Sequence, residues 1–444
     1  MALNKNVSGI YFFGHKLALV FGDVVMLALS MVFASKLRLE RLPQFLTLES
    51  IGIILISISC LFLAGSYTSS NVSRRPKLPL KTLLVVLTSA IPGVLFIYIL
   101  GPERFTALLG RGVYPIALVM FSVLALLNHL LMNVVFFEET KGKHILVLGN
   151  TQALNQLGSI LKNHTSKLEI RHSQALLKDS IEKQQLLAIV ISPEHNPTNE
   201  EQQQLLELRI SGLPIYSVSD FFETFFFLVP VGEIDNEWFI RSQGFLMLHS
   251  SAALRIKRLL DVLCSILLFL LSLPLCLLII AIIKLGSSGP ILFSQTRIGL
   301  EGKPFRLFKF RTMYENAEVD GAKWADDNDS RIIPFGNFLR KSRIDELPQC
   351  WNILKGEMSI IGPRPERPEF TAMLAKDIPY YDLRNIVKPG LTGWAQVSYP
   401  YGASIDDALR KLQYDFYYIK NYSLGLDLNI LLRTILVTLR RSGR

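Results

Sequence analysis

Residues 262–283 read VLCSILLFLLSLPLCLLIIAII and carry no formal charge, with Arg255, Lys257 and Arg258 before them and Lys284 after. A stretch of this length spans the roughly 30 Å hydrocarbon core of a bilayer as a helix, and flanking cations mark where it meets the headgroups. Pro274, near the middle, removes a backbone donor, and Ser272 competes for backbone carbonyls, so a sharp bend is physically accessible there. Polar sequence lies on both sides of the segment. A single crossing puts the two polar parts on opposite sides of the membrane, whereas a helix that enters, bends at Ser272 and Pro274 and returns keeps them together. A proline-kinked crossing is the alternative reading of the same residues.

The apolar excess extends through the whole chain of 444 residues, of which 50% are hydrophobic, 19% are charged and 27 are Phe. An ordinary soluble protein is less apolar, and the length suggests about three units. Four more segments have the length and polarity of spans, near residues 17–35, 50–66, 82–100 and 113–137. The apolar stretch after Lys16 is long and lacks a small-residue cleavage site, so it reads as retained rather than removed. Asp23 lies inside it and reads as a structural carboxylate, facing either the bundle interior or the headgroups. Arg74, Arg75, Lys77 and Lys81 form the densest short basic cluster of this half and assign that loop to the cytoplasm.

A net charge of +10 suits nucleic acid, an anionic lipid surface or a phosphorylated substrate. Long uncharged runs select anionic lipid and argue against nucleic acid. Cys60, Cys264, Cys276 and Cys350 show no metal spacing and no disulfide framework.

From Lys143 the pattern becomes α/β: KHILVLG and LLAIVIS read as buried strands, ALNQLGSILKNH and EEQQQLLELRISG as helices, before LPIYSV. A Rossmann-like module over roughly 143–230 follows from this alternation. Gly149 is followed by NTQAL, so the second and third glycines of a dinucleotide fingerprint are missing. The reading is a structural or regulatory unit without a bound cofactor, and His195 is a loop residue.

Chemistry concentrates after residue 289, in GPILFSQTRIGLEGKPFRLFKFRTM, SRIIPFGNFLRKSRIDELPQCWNILKGEMSIIGPRPERPEF and KPGLTGWAQV. Asp345 and Glu346, followed by Pro348 and CWNILKG, read as the first turn of a short helix ending near Gly356, whose positive end favours ionised Asp345. On that helix Leu347, Trp351 and Leu354 share an apolar packing face. A carboxylate can attack phosphorus and form an acyl phosphate, and a second carboxylate can hold a divalent ion that screens the charge of a pyrophosphate. Arg297, Lys309, Arg311, Arg340, Arg364 and Arg367 lie among glycines and prolines, and Arg suits bidentate phosphate recognition.

These segments resemble the bacterial sugar transferase family, the polyprenyl-phosphate hexose-1-phosphate transferases, and in particular its long members with four N-terminal spans and a central Rossmann-like domain. The resemblance covers essentially the whole chain and is most specific over residues 255–397. It implies a multidomain fold: a four-helix transmembrane domain at 1–140, a Rossmann-like α/β domain at 141–245, and a mainly α, membrane-associated catalytic domain at 246–444 with a re-entrant helix near 259–284, bent at Ser272 and Pro274. It further implies Asp345 as nucleophile, Glu346 as ligand of Mg²⁺, and Arg364, in Gly362–Pro365, as a contact of the nucleotide phosphate. Lys309 and Arg311 match positions around the acidic centre, and Arg297 and Arg340 join them as substrate-binding residues.

Two departures stand out. Ser342, Arg343 and Ile344 replace the usual approach to the acidic pair, adding a cation, and DSRII at 329–333 alters a neighbouring loop. The closing LGLDLNILLRTILVTLRRSGR reads equally as an interfacial amphipathic helix or as domain packing. The activity expected from the resemblance is transfer of a sugar 1-phosphate from a UDP-sugar to polyprenyl (undecaprenyl) phosphate with release of UMP. Such a step initiates exopolysaccharide, capsule or O-antigen synthesis at the cytoplasmic face of the bacterial inner membrane, with a homodimer and polysaccharide assembly proteins as possible partners. The competing readings are a glycosyltransferase releasing UDP and a non-catalytic scaffold.

Overall fold

A computed structural model of the chain describes residues 8–39, 48–64, 66–67, 80–101, 103, 112–140, 144–149, 169–173, 186–286, 288–314, 331–333, 335–399, 402 and 404–439. These residues form two compact units, Met1–Asp235 and Asn236–Arg444. The described residues are mostly helical, with several helices suited to a membrane and three small sheets.

The first unit begins with five apolar helices: α1 (Ser8–Leu39), α2 (Leu48–Leu63), α3 (Leu80–Thr88), α4 (Ala90–Ile99) and α5 (Val113–Thr140). Among the described residues, Leu17–Leu39, Thr82–Ile99 and Val113–Met132 here are long and apolar enough to cross a membrane, and Glu49–Phe62 is a shorter apolar helix. Each buries one stripe, Leu27, Met31 and Ala34 on α1 and Ala117, Phe121 and Ala125 on α5, while Phe21, Leu29 and Phe33 point outward. Lipid tails are as apolar as Leu, so the outward side chains cost nothing and small residues at the contacts let helices approach.

Asp23 is fully buried and faces the bundle interior. It accepts hydrogen bonds from Tyr67 Oη at 2.9 Å and Asn128 Nδ2 at 2.8 Å, and lies 2.8 Å from His129 Nε2. Thr82 Oγ1 lies 3.4 Å from His129 Nδ1, which brings α3 into the same polar cluster. Arg74, Arg75 and Lys77 lie outside the described residues, as does the side chain of Lys81.

The same unit holds a parallel sheet ordered β2-β1-β3-β4, from β1 (His144–Leu148), β2 (Glu169–Ser173), β3 (Leu186–Ile191) and β4 (Ile215–Ser217). β1 is buried at every position, as a strand covered on both faces must be. Between β3 and β4 runs α6 (Asn199–Ile210), which starts at a capping box in which Thr198 and Glu201 satisfy each other's backbone amides. The helix expected over ALNQLGSILKNH lies outside the described residues.

In the second unit, α7 (Asn236–Arg241) and α8 (Leu246–His249) lead into α9 (Ser251–Gly286), 36 residues that continue as helix through Pro274. At 1.5 Å per residue a straight helix of that length is about 54 Å long, well beyond the roughly 30 Å of a bilayer core. Its buried positions, Lys257, Asp261, Ser265, Ser272, Ile279 and Ile283, recur every four or seven residues and so form one stripe. The opposite side exposes Leu263, Leu267, Leu270, Leu271, Leu277 and Leu278.

Polar contacts fasten the first arm of α9. Lys257 Nζ donates to Asp427 at 2.7 Å, Asp261 accepts from Ser359 Oγ and the Ile360 amide at 3.0 Å each, and Ser265 Oγ donates to the Cys350 carbonyl at 3.0 Å. Apolar contacts fasten the second arm: Ile279 and Ile283 form a buried cluster with Phe310, Ile333 and Leu339, against which Ile344 and Leu347 pack. At the middle, Ser272 Oγ donates to the Phe269 carbonyl at 3.2 Å.

The remainder of this unit frames the acidic pair. An antiparallel hairpin, β5 (Leu292–Ile298) and β6 (Pro304–Phe310), is followed by α10 (Gly336–Lys341), a 3₁₀ turn at Ile344–Glu346 and α11 (Gln349–Lys355). Then come β7 (Ser359–Ile361), α12 (Pro368–Asp377), a 3₁₀ segment at Tyr381–Ile386 and β8 (Gly390–Thr392), parallel to β7. The chain closes with α13 (Trp394–Ser398), α14 (Ile405–Lys420) and α15 (Leu424–Leu439). Arg440, Arg441 and Arg444 lie outside the described residues, as do Asp329 and Ser330 of DSRII.

Candidate active site

Asp345 and Glu346 do not open an α-helix, as their sequence suggested. They occupy their own 3₁₀ turn, and Pro348, which lacks an amide proton, starts the separate helix α11. Arg343, at φ 54°, introduces that turn in the left-handed region, which is uncommon for a residue with a Cβ. α11 ends as expected at Gly356, whose φ of 88° closes the helix at little cost. The expected apolar face is revised too: Trp351 is 56% exposed, and the side of α11 that packs inward carries Cys350, Asn352 and Ile353.

Asn352 joins α11 to the hairpin. Its Nδ2 donates to the Arg306 carbonyl at 2.7 Å and its Oδ1 accepts from the Phe308 amide at 3.1 Å, which sets the register between α11 and β6. One residue further along β6, Lys309 reaches the acidic pair. A buried Asn in a short helix carries no visible signal of this role in the sequence.

The two carboxylates are both buried, 7% and 6% exposed, but differ in partners. Glu346 Oε1 accepts from Lys309 Nζ at 2.8 Å and from Arg364 Nη2 at 2.8 Å. Among the described residues, Asp345 makes no hydrogen bond or ion pair. Burial pushes the Asp345 carboxyl up to about 6, reinforced by the neighbouring Glu346 and opposed by Lys309, Arg364 and Arg340. The expectation of a helix end favouring ionised Asp345 is therefore reversed in direction. Burial also acts on Glu346, but the charges and hydrogen bonds of Arg364 and Lys309 outweigh it and hold this carboxyl well below the usual range.

Other predicted residues surround this centre. Arg340, on α10, is close enough to Asp345 to favour its charged form. Arg311 is buried just beyond β6. Arg297 Nη1 donates to the Pro365 carbonyl at 3.2 Å and Nη2 to Gln295 at 2.7 Å, so this side chain supports the loop that carries Arg364. Arg343, the departure noted in the sequence, reaches Gln396 of KPGLTGWAQV at 3.4 Å. Ser272 and Pro274 lie together at the middle of α9.

The Arg364 loop rests on a close backbone crossing. A Cβ added at Gly390 would overlap the Gly362 amide nitrogen, and one at Gly393 the Gly362 carbonyl oxygen. Glycine is required at both positions for a steric reason.

A divalent cation suits the donor set. Glu346 is held ionised and presents hard oxygen, with a second carboxyl adjacent, and among the described residues no group of three His, Cys, Asp or Glu forms a closed cage. Mg²⁺ typically takes one or two carboxylates and completes its shell with water and substrate phosphate.

Residues 252–441 match the sequence model described as bacterial sugar transferase. The chain is 41% identical over 244 residues to a UDP-N-acetylgalactosamine-undecaprenyl-phosphate N-acetylgalactosaminephosphotransferase of Aeromonas hydrophila, covering 55% of this chain and 56% of that protein. It is 35% identical over 247 residues to an undecaprenyl-phosphate galactose phosphotransferase of Salmonella typhimurium, covering 52% of this chain and 48% of that one, so the match spans about half the length of these relatives. A shorter relative, a UDP-glucose:undecaprenyl-phosphate glucose-1-phosphate transferase of Caulobacter vibrioides, is 42% identical over 181 residues, which is 40% of this chain and 68% of the relative. Since that identity extends over more than two thirds of the Caulobacter protein and the matched region contains the whole acidic centre, the chain belongs to the bacterial sugar transferase family.

Proposed function

We propose that this protein transfers a sugar 1-phosphate from a UDP-sugar to undecaprenyl phosphate, with Asp345 as nucleophile. The observation that carries this reading is the contrast within one turn: Asp345 buried and, among the described residues, unbonded, Glu346 clamped by Lys309 and Arg364. A nucleophile must be free to leave its ground-state position, while the groups that stabilise charge must be preorganised.

In the first displacement, an oxygen of ionised Asp345 forms a bond to the sugar-bearing phosphorus. The bond from that phosphorus to the bridging oxygen breaks, and UMP departs with the electron pair. In the second, an oxygen of undecaprenyl phosphate attacks the same phosphorus, the acyl phosphate bond breaks and Asp345 is regenerated. Arg364 and Lys309 fix Glu346 and place two positive charges beside the reacting phosphate. Mg²⁺, held by Glu346, supplies further neutralisation of the pyrophosphate when bound.

Proposed with this activity are a re-entrant α9, a Rossmann-like α/β unit and a catalytic unit at the cytoplasmic face of the inner membrane. The first is supported by the two arms of α9. Ser265 bonds Cys350, while Ile279 and Ile283 belong to the cluster that packs Leu347, only three residues earlier. A straight helix would separate Ser265 from Ile283 by about 27 Å. The second is supported by the parallel strand order β2-β1-β3-β4. The names of the relatives include N-acetylgalactosamine, galactose and glucose, so the donor is tested as a panel.

The test uses purified protein in nanodiscs with Mg²⁺, undecaprenyl phosphate and UDP-sugars. UMP release by the wild type and its loss in D345N is the expected result. UDP as product replaces the reading with direct glycosyl transfer, and absence of turnover across the panel replaces it with a scaffold.

A further inference from the structure

The sequence Pro363-Arg364-Pro365-Glu366 has two prolines, so this segment lacks two of the amide donors by which a loop is usually held. It is held by its carbonyls instead. Pro363 O accepts from the Gly390 amide at 2.8 Å, Arg364 O from Arg384 Nη2 at 3.0 Å, Pro365 O from Arg297 Nη1 at 3.2 Å and Glu366 O from the Ile298 amide at 2.9 Å. Four consecutive carbonyls are thus tied to four different donors. Two donors are backbone amides fixed by their strands; two are arginine side chains.

Arg384 is the more deeply committed of the two arginines. It is buried, and its other bonds run to Asp415 Oδ2 at 2.8 Å on α14 and to Tyr381 Oη at 2.7 Å in its own 3₁₀ segment. A guanidinium presents several donors in a rigid plane, which lets one side chain bridge three acceptors from separate elements. The Asp415 carboxylate compensates the buried charge, so Arg384 stands as a fixed post between α14 and the residue that touches Glu346.

We propose that Arg384, held by Asp415, is a positioning residue for phosphosugar transfer: it grips the Arg364 backbone and thereby aims the Arg364 guanidinium at Glu346 and the donor pyrophosphate. The proposal rests on the function proposed above for Arg364. Arg384 itself touches neither Asp345 nor Glu346; it acts through the loop. The same bond that fixes the Arg364 carbonyl fixes the origin of a side chain whose tip must lie within hydrogen-bond reach of Glu346. A displacement of about 1 Å is enough to cost roughly 100-fold in rate.

The test is a double-mutant cycle with R384Q and R364A, read as kcat and donor KM for UMP release, alongside amide exchange of the full-length protein in nanodiscs. The expected result is a loss of about 10- to 100-fold in kcat/KM for R384Q, partial recovery in R384K, and no further loss when R384Q is added to R364A. Exchange rises in the peptides covering 359–370 and 381–386, with the rest of the catalytic unit unchanged. Equal losses from R384Q in the presence and absence of Arg364 overturn the proposal, as does exchange unchanged at 359–370. If R384Q fails to fold, R384K carries the cycle, since it keeps the buried charge. Should the wild type release no UMP, the proposed function fails, and the exchange of residues 359–370 still decides whether Arg384 holds the loop.

Discussion

Asp345 and Glu346 are adjacent in one 3₁₀ turn, yet Glu346 is bonded to two cations while Asp345 is bonded to none among the described residues. Lys309 of the hairpin and Arg364 of its loop both bond Glu346, while the same two cations act on Asp345 through their charge alone. The proposed division of labour between nucleophile and charge anchor follows from that difference in partners. It also separates their protonation: burial raises Asp345 to about 6, and the paired cations hold Glu346 down.

The raised value predicts a pH profile. On the proposed mechanism only ionised Asp345 attacks phosphorus, so kcat/KM for the donor is expected to rise with pH through about 6 and level above it. An acid limb near 4, the ordinary carboxylate range, would contradict the buried position of this group.

Stability should move in the opposite sense. Asp345 binds its proton more tightly folded than unfolded, so its ionisation costs stability that grows as pH rises from about 4 to 6 and stays full above. D345N removes the charge. It is expected to be more stable than the wild type at pH 7.5, by of order 1–3 kcal/mol, with the difference vanishing near pH 4. Thermal unfolding in detergent at the two pH values checks this.

Lys309 and Arg364 share Glu346 Oε1 but are not equivalent. K309M and R364A are each expected to lower kcat by about 100- to 1,000-fold, the range for removing one preorganised donor. R364K should recover part of the loss, because it keeps the charge without the planar fork. Equal activities of R364K and R364A would show that charge at this position is irrelevant.

G390A puts a methyl group onto the Gly362 amide and should separate β7 from β8, lowering stability by about 2–4 kcal/mol and abolishing turnover. G286A, where a Cβ meets nothing within 4 Å, is the matched control and should behave as wild type.

In the membrane bundle, D23A would strand the donors of Tyr67 and Asn128 in a buried site. The expected loss is about 1–3 kcal/mol, read as a lower unfolding temperature, with UMP release per folded molecule unchanged. A fall in specific activity without a fall in stability would assign Asp23 a different role.

Much of this architecture was legible along the chain. The apolar helices, the buried strands at His144–Leu148 and Leu186–Ile191, the acidic pair and the stop at Gly356 are local patterns, visible within windows of a few turns. The expected helix start at Asp345 was misplaced because a 3₁₀ turn and an α-helix share the same first residues, and left-handed Arg343 has no sequence signature. Periodicity gives a helix its faces without saying which face is covered, so Trp351 reads as packed in the sequence and is exposed in the fold.

Membrane helices and a paired acidic motif embedded among cations can be read along the chain, because hydrophobic length and adjacent residues are properties of the primary structure. Only the folded arrangement shows that Glu346 is the carboxylate anchored by two cations and that Asp345 has no such bond among the described residues. It also decided that Arg384 meets Asp415, 31 positions away, and that Lys309 meets Glu346 across 37. The physical reason is that desolvation and charge pairing depend on distance in space, and folding brings those distances to hydrogen-bonding range between segments that nothing in their local patterns connects.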